Sequence, residues 1–124
     1  MALKHYLKLP FQHAFMCDRG RWVQQLLAQN FPRTKLYPGV TLKEHLLASP
    51  VDLYVAGFPC QPFSSAGKGL GLADERGGPV LSAILRYLRK SLPKVFVLEN
   101  VSGLTKKNQK EALDFLLGRL SDIR

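Results

Sequence analysis

Cysteine is scarce in this chain of 124 residues, which contains only Cys17 and Cys60 and no Cys-x-x-Cys pair. A scaffold held together by several disulfides needs more cysteines, and so does a zinc site built from two Cys-x-x-Cys pairs. We therefore expect neither a disulfide framework nor a bound metal. Two free thiols favour a reducing, intracellular environment.

Long apolar runs are also missing. No segment approaches the roughly 20 apolar residues that a membrane-spanning helix needs, and residues 1–10 lack the continuous apolar stretch of a secretory signal. Neither an internal repeat nor a low-complexity tract occurs. Because hydrophobic residues make up 46% of the chain and charged residues 22%, the composition is that of an ordinary globular protein. We predict a single intracellular domain without membrane association.

Acidic residues are few compared with basic ones. Nine Asp and Glu face eighteen Lys and Arg, which gives a formal net charge of +9. Such a surplus favours a polyanionic partner such as nucleic acid, because each cation near a phosphate releases condensed counterions. The alternative is a basic surface that only contacts solvent, and charge alone leaves both interpretations open.

Short apolar runs alternate with amphipathic stretches along the chain. Strands are predicted at residues 13–17, 51–56 and 95–98, the last of them buried. Helices are predicted, from apolar residues three and four positions apart, at residues 21–30, 80–92 and 107–123. The helix at 80–92 has its apolar face at Leu81, Ile84, Leu85, Leu88 and Leu92. A short helix is predicted at 41–48, with Thr41 as its N-cap and Glu44 three residues later. The glycine-rich segment 67–78 is predicted to be a loop. Alternating strands and helices are typical of βαβ units, so the predicted fold class is α/β with a parallel sheet and flanking helices.

Ligands of open parallel sheets bind beyond the carboxyl ends of the strands. The residues that follow the predicted strands are therefore candidates: Asp18, then Pro59, Cys60 and Gln61, then Glu99 and Asn100. The residues alone leave two interpretations of each side chain open. Cys60 is either a nucleophile or a buried structural cysteine. Glu99 is either a catalytic carboxylate or a capping or ion-paired one. Asp18 is a ligand-binding residue, a helix N-cap or both at once.

Two motifs give these positions a more specific meaning. Residues 57–64 read Gly-Phe-Pro-Cys-Gln-Pro-Phe-Ser, and residues 99–101 read Glu-Asn-Val, with Glu99 lying 39 positions after Cys60. Together they resemble the signature motifs of the DNA cytosine-5 methyltransferases. Residues 67–77 resemble the catalytic-loop segment of that family, and residues 15–31 resemble the strand and helix that hold the ribose of its cofactor. The resemblance covers about residues 11–120.

The resemblance implies a partial Rossmann-like sheet of the class I S-adenosylmethionine-dependent methyltransferases. It also implies that Cys60 adds to carbon 6 of a cytosine flipped out of double-stranded DNA, while Glu99 contacts ring nitrogen 3. S-adenosylmethionine would be the cofactor, with Asp18 at its ribose and with Phe58 and Pro59 near it. The residues implied to contact the cytosine or the DNA are Pro59, Gln61, Ser64, Lys68, Arg76 and Asn100, of which Asn100 would position the Cys60 loop.

Several family segments have no counterpart in residues 1–124. These are the first strand with its Phe-x-Gly-x-Gly loop, the Gln-x-Arg segment and the target-recognition domain. We therefore expect the central part of a catalytic domain, inactive alone and completed by a missing portion of that domain. One alternative is a catalytically inactive DNA-binding or regulatory relative. Another is an unrelated cysteine hydrolase, which would need a histidine base from among His5, His13 and His45.

Overall fold

The computed structural model describes residues 8, 10–59, 78–106 and 109–123. The chain divides into two compact units, Met1–Gly39 and Val40–Arg124. We call these the N-terminal unit and the C-terminal unit and describe each by itself. In the described ranges, no helix combines the length and the apolar character needed to cross a membrane.

The N-terminal unit is a short parallel strand pair with one helix. Strand β1 (Phe15–Cys17) is followed by helix α1 (Arg21–Asn30) and strand β2 (Lys35–Tyr37). The strands pair in parallel, with Met16 opposite Leu36. The side chains of Met16 and Tyr37 are buried, and the ring of Phe15 meets the ring of Tyr37 edge-on at 5.7 Å between centroids. The predicted strand at 13–17 and helix at 21–30 are therefore confirmed, with the strand beginning two residues later.

The C-terminal unit contains a second parallel pair. Its elements are helix α2 (Lys43–Leu46), strand β3 (Leu53–Gly57), helix α3 (Gly78–Ser91), strand β4 (Val95–Glu99), a 3₁₀ helix (Ser102–Thr105) and helix α4 (Lys110–Ser121). Strands β3 and β4 run parallel and pair from Leu53 opposite Val95 to Gly57 opposite Glu99. The α/β class and the parallel pairing are confirmed.

The core of the C-terminal unit lies along α3. Its predicted apolar face is buried at Leu81, Ile84, Leu85 and Leu88, which are each at most 5% exposed. The prediction is wrong for Leu92, which lies one residue beyond the helix and is 51% exposed. Tyr87 is fully buried on the same helix, and its ring lies 4.9 Å from that of Tyr54 on β3. The α3 helix ends where Leu92 takes a φ of 45°, just before Pro93. Helix α3 therefore covers the face of the sheet that carries Tyr54.

The opposite face of the β3–β4 pair is exposed. Residues alternate along both strands, and the outward positions include Val55 at 62% exposure and Val97 at 48%. Residues 95–98 form the predicted strand, but the prediction that this strand is buried is wrong: in the described part of the chain only one face of β4 is covered. Parallel strands normally have both faces covered, which explains why the sequence pattern was misleading.

Helix α1 has an exposed apolar face, and the prediction for helix α2 needs correction. The apolar residues of α1 lie outside the core, because the helix has no buried residue and Trp22 is 76% exposed. The helix predicted at 41–48 with Thr41 as its cap is shorter, with Leu42 in the N-cap position and no side-chain cap. Instead, a side chain of α3 holds the end of helix α2: the Nζ of Lys90 donates a hydrogen bond of 2.7 Å to the Leu46 carbonyl oxygen.

Candidate active site

The two motif strands end at one edge of the C-terminal unit. Because β3 and β4 are parallel and Gly57 is opposite Glu99, the segments that follow them leave the sheet side by side. The side chain of Glu99 is exposed and lies on the face of the sheet opposite Tyr54. A carboxylate thus lies beside the start of the segment that leads to Cys60.

The side-chain amide of Asn100 connects the two segments. Its Nδ2 donates a hydrogen bond of 3.0 Å to the carbonyl oxygen of Phe58. Its Oδ1 accepts a hydrogen bond of 2.9 Å from the backbone N–H of Val101. An amide can act as donor and acceptor at the same time, and here it does both. The backbone two residues before Cys60 is therefore held against the end of β4.

Most of the predicted DNA-contacting residues lie outside the described residues. These are Cys60, Gln61, Ser64, Lys68 and Arg76. Phe58 and Pro59 are described: the Phe58 side chain is 5% exposed, and Pro59 is half-buried. The ring of Phe58 therefore belongs chiefly to the protein core, and only a small edge of it is accessible to a ligand.

Asp18 follows β1 in the N-terminal unit, at the predicted strand end. Its Oδ1 accepts a hydrogen bond of 2.7 Å from the backbone N–H of Gly20, and its carbonyl oxygen accepts one of 2.7 Å from the Gln24 side chain. The N-cap of α1 is Gly20, without a side-chain cap, so the interpretation of Asp18 as the N-cap is wrong. Its carboxylate instead closes the turn between β1 and α1.

Cys17, the cysteine that the structure describes, is a poor nucleophile. Burial and the adjacent Asp18 carboxylate raise its thiol pKa to about 11, although a backbone hydrogen bond from Gly39 acts in the opposite direction. A thiol must lose its proton before it attacks. Cys17 therefore remains protonated near neutral pH.

His45, one of the three histidines considered as a hydrolase base, is a core residue. His45 is 1% exposed, and its Nε2 lies 3.4 Å from the Tyr54 hydroxyl. Its ring also lies 5.0 Å from that of Tyr87. Burial lowers the pKa of His45, so it is a neutral core residue at neutral pH. Among the described residues, no group of three His, Cys, Asp or Glu side chains could hold a metal ion.

The sequence as a whole is similar to one enzyme family. The family model of the C-5 cytosine-specific DNA methylases matches residues 2–123. The type II methyltransferase M.NgoBV of Neisseria gonorrhoeae is 41% identical over 88 residues, which are 71% of this chain and 21% of that protein. M.NlaIV of Neisseria lactamica is 41% identical over 87 residues, 70% of this chain and 20% of the relative.

A third relative, M.AquIA of Picosynechococcus sp., is 45% identical over 71 residues, which are 57% of this chain and 28% of that type II methyltransferase. The chain thus spans between 20% and 28% of the length of these relatives. The match to the family model nonetheless covers almost all of the chain. This chain belongs to the C-5 cytosine-specific DNA methylase family.

Proposed function

We propose that this chain provides the nucleophile and the ring-activating carboxylate for methyl transfer to carbon 5 of cytosine in DNA. The observation that carries the proposal is the joining of the two motif strands at their ends. Glu99 is opposite Gly57, and Asn100 donates a hydrogen bond to the Phe58 carbonyl. This arrangement supports a site shared by Cys60 and Glu99. Glu99 ends β4 and Cys60 follows β3 in the sequence, and the two strands end at the same edge of the sheet.

The proposed chemistry starts from the low nucleophilicity of carbon 5. The Cys60 thiolate adds to carbon 6, and the electron density that this addition places in the ring makes carbon 5 enamine-like. Glu99 donates a proton or a hydrogen bond to nitrogen 3, which stabilises the charge that develops there. After methyl transfer, loss of the carbon 5 proton and elimination of the Cys60 thiolate release 5-methylcytosine. Asn100 acts by holding the Cys60 segment at the strand ends.

The cofactor of this reaction, S-adenosylmethionine, supplies an electrophilic methyl group when it is bound. Asp18 suits its ribose, because the hydrogen bond from Gly20 fixes one carboxylate oxygen and the side chain is half-buried rather than enclosed. A carboxylate that follows a strand is the group that holds ribose hydroxyls in Rossmann-type sites. Phe58 and Pro59 are the other proposed cofactor contacts. Because the Phe58 side chain is 5% exposed, only an edge of its ring can contact the cofactor.

Double-stranded DNA is the proposed substrate. The formal charge of +9 suits a phosphate backbone, and a cytosine must leave the base stack before a thiol can reach carbon 6. Lys68 and Arg76 are the proposed contacts to the DNA. Gln61 and Ser64, which flank Cys60 in the same motif, are proposed to contact the flipped base.

The proposed activity requires more protein than these residues. The chain spans 21% of the length of M.NgoBV, and we propose that the remainder of a catalytic domain is a partner of this segment. The exposed apolar positions of β3 and β4 support this requirement, because a parallel sheet normally has both faces covered. The competing proposal is that the protein is a noncatalytic relative that binds DNA.

Covalent trapping tests the proposal. Double-stranded DNA containing 5-fluorocytosine cannot lose a proton from carbon 5, so a methylated adduct with the enzyme persists on a denaturing gel. One assay uses the chain by itself. A second assay uses M.NgoBV in which the segment that matches this chain has been replaced by it, together with DNA that contains the target sequence of M.NgoBV. We expect the replaced enzyme to form the adduct, Cys60→Ser to abolish it and Cys17→Ser to retain it.

Two results would contradict the proposal. An adduct that survives Cys60→Ser would remove Cys60 from the nucleophilic role. DNA binding without any adduct, in the replacement enzyme as well, would favour the noncatalytic relative.

A further inference from the structure

Gly57 is the last residue of β3 and the partner of Glu99 in the sheet. A Cβ atom built at Gly57 would lie 3.0 Å from Oε2 of Glu99. Among the residues that the structure describes, it would meet no other heavy atom within 4 Å beyond its chain neighbours. Cβ atoms seldom lie as close as 3.0 Å to another heavy atom, so the carboxylate would have to give way by a few tenths of an ångström. The carboxylate of Glu99 therefore occupies the space that any other residue at position 57 would fill.

The backbone does not explain a glycine at this position. Gly57 lies in a paired strand, and its φ is outside the left-handed range that excludes other residues. Glycine weakens a strand, because it has greater conformational freedom when unfolded and offers no side chain for packing. The contact that explains its presence is the one with Glu99.

We propose that Gly57 is a positioning residue, which leaves the space over the end of β3 that the Glu99 carboxylate needs. This inference rests on the proposed function of Glu99 and adds a residue that acts through it. A methyl group at position 57 would push away the far end of a flexible side chain, which moves at little cost in stability. The carboxylate would change its rotamer, while the strands would remain paired.

Gly118 provides a matched control in the same chain. It lies in α4, and a Cβ atom built there would meet no atom of the described residues within 4 Å, apart from its chain neighbours and the backbone of its own helix. Gly118→Ala therefore adds the same methyl group as Gly57→Ala without touching a carboxylate. A third variant, Glu99→Ala, removes the group through which Gly57 is proposed to act.

The first test needs no enzymatic activity and uses the full chain in solution. Three-bond NMR couplings report the rotamers of Glu99, and nuclear Overhauser effects report its distance from residue 57. We expect Gly57→Ala to change the Glu99 rotamer populations and to leave the β3–β4 contacts and the melting temperature intact. Gly118→Ala should leave Glu99 unchanged. Unchanged Glu99 couplings in Gly57→Ala, or loss of the β3–β4 contacts, would overturn the inference.

The second test is the rate of adduct formation with 5-fluorocytosine DNA in the M.NgoBV replacement enzyme. Displacing a reacting group by about 1 Å can slow a reaction roughly 100-fold. Since the Glu99 carboxylate must shift by a few tenths of an ångström, we expect Gly57→Ala to slow trapping by about fourfold without changing DNA affinity. Adding Gly57→Ala to Glu99→Ala should produce no further loss. Trapping at the wild-type rate despite a displaced Glu99 would overturn the positioning role. If the wild-type enzyme forms no adduct, the proposed function fails, while the NMR test still decides whether Gly57 sets the carboxylate position.

Discussion

The side-chain amide of Asn100 donates a hydrogen bond of 3.0 Å to the carbonyl oxygen of Phe58, a residue 42 positions earlier in the chain. Two segments that are far apart in sequence are thereby joined one residue beyond the end of each strand. A loop that is tied at its first residue explores fewer conformations than one anchored only by its strand. The position of the Phe58 backbone therefore depends on a side chain from the neighbouring motif.

Asn100→Ala tests this connection. Loss of the partly buried hydrogen bond to Phe58 and of the exposed one from Val101 should lower the free energy of unfolding by about 1–2 kcal/mol, measured by urea denaturation. Adduct formation in the replacement enzyme should slow about tenfold or more, because the Cys60 segment is less well positioned.

Asn30→Ala is the matched control for this substitution. Asn30 also donates from its amide to a backbone carbonyl, that of Leu26 at 2.8 Å, but on the surface of α1. It should change stability by no more than about 0.5 kcal/mol and leave trapping unaffected. Equal effects of the two substitutions would show that the Asn100 bond has no particular role.

The raised pKa of Cys17 predicts slow alkylation of that thiol. With a pKa of about 11, only about one molecule in a thousand carries the Cys17 thiolate at pH 8. In the Cys60→Ser variant, the rate of iodoacetamide modification should rise about tenfold for each pH unit up to the pKa. Mass spectrometry of the modified peptide checks this, and a rate that levels off near pH 8 would contradict the predicted burial of the thiol.

Burial of His45 predicts a loss of stability in acid. Its pKa in the folded state is lowered by burial, so the unfolded chain, with an ordinary histidine pKa of about 6.5, binds the proton more tightly. His45 protonation does not affect the free energy of unfolding above about pH 6.5. As the pH falls below that value, it lowers the free energy of unfolding by at most about 1.4 kcal/mol per pH unit.

His45→Phe should reduce this slope, measured by urea denaturation between about pH 7 and 5. His13→Gln serves as the comparison, because burial and the positive N-terminus also lower the His13 pKa although its side chain is largely exposed. If His13→Gln reduced the pH dependence of stability and His45→Phe did not, the loss of stability in acid would not come from the buried His45.

Tyr87→Phe tests the anchor between α3 and the segment before β3. The Tyr87 hydroxyl donates a hydrogen bond of 2.7 Å to the Ser49 carbonyl oxygen, and the side chain has no exposed surface. Removing the hydroxyl should cost about 1–2 kcal/mol of stability, because the carbonyl loses a partly buried donor. Ser82→Ala, an exposed position on the same helix, should change the unfolding free energy by less than about 0.5 kcal/mol.

The sequence predicted the elements whose signal is local. Leu81, Ile84, Leu85 and Leu88 repeat at helical spacing, and they are the buried face of α3. The strand ends at Asp18 and Glu99 could also be identified, because an apolar run stops there. The β3–β4 pairing follows from the strand–helix–strand order, since parallel strands need a crossover.

The features that escaped prediction depend on contacts distant in sequence. Strand β2 (Lys35–Tyr37) has only three residues, too few for alternation to be visible, and it exists because β1 lies beside it. The exposure of Trp22 and Val97 could not be deduced either, since an apolar pattern marks the face that can be buried and not what covers it. The contact between Gly57 and Glu99 requires the strand register, which no local pattern encodes.

The outward-facing valines of β3 and β4 also bear on the colloidal behaviour of the chain. An apolar surface prone to self-association is formed by Val55, Val95 and Val97, each about half exposed or more. The formal charge of +9 opposes this association, because copies of the chain repel one another. Salt shortens the range of that repulsion from about 10 Å at 0.1 M to about 3 Å at 1 M. Light scattering should therefore detect clustering of the isolated chain as ionic strength rises, and Val97→Lys should suppress it.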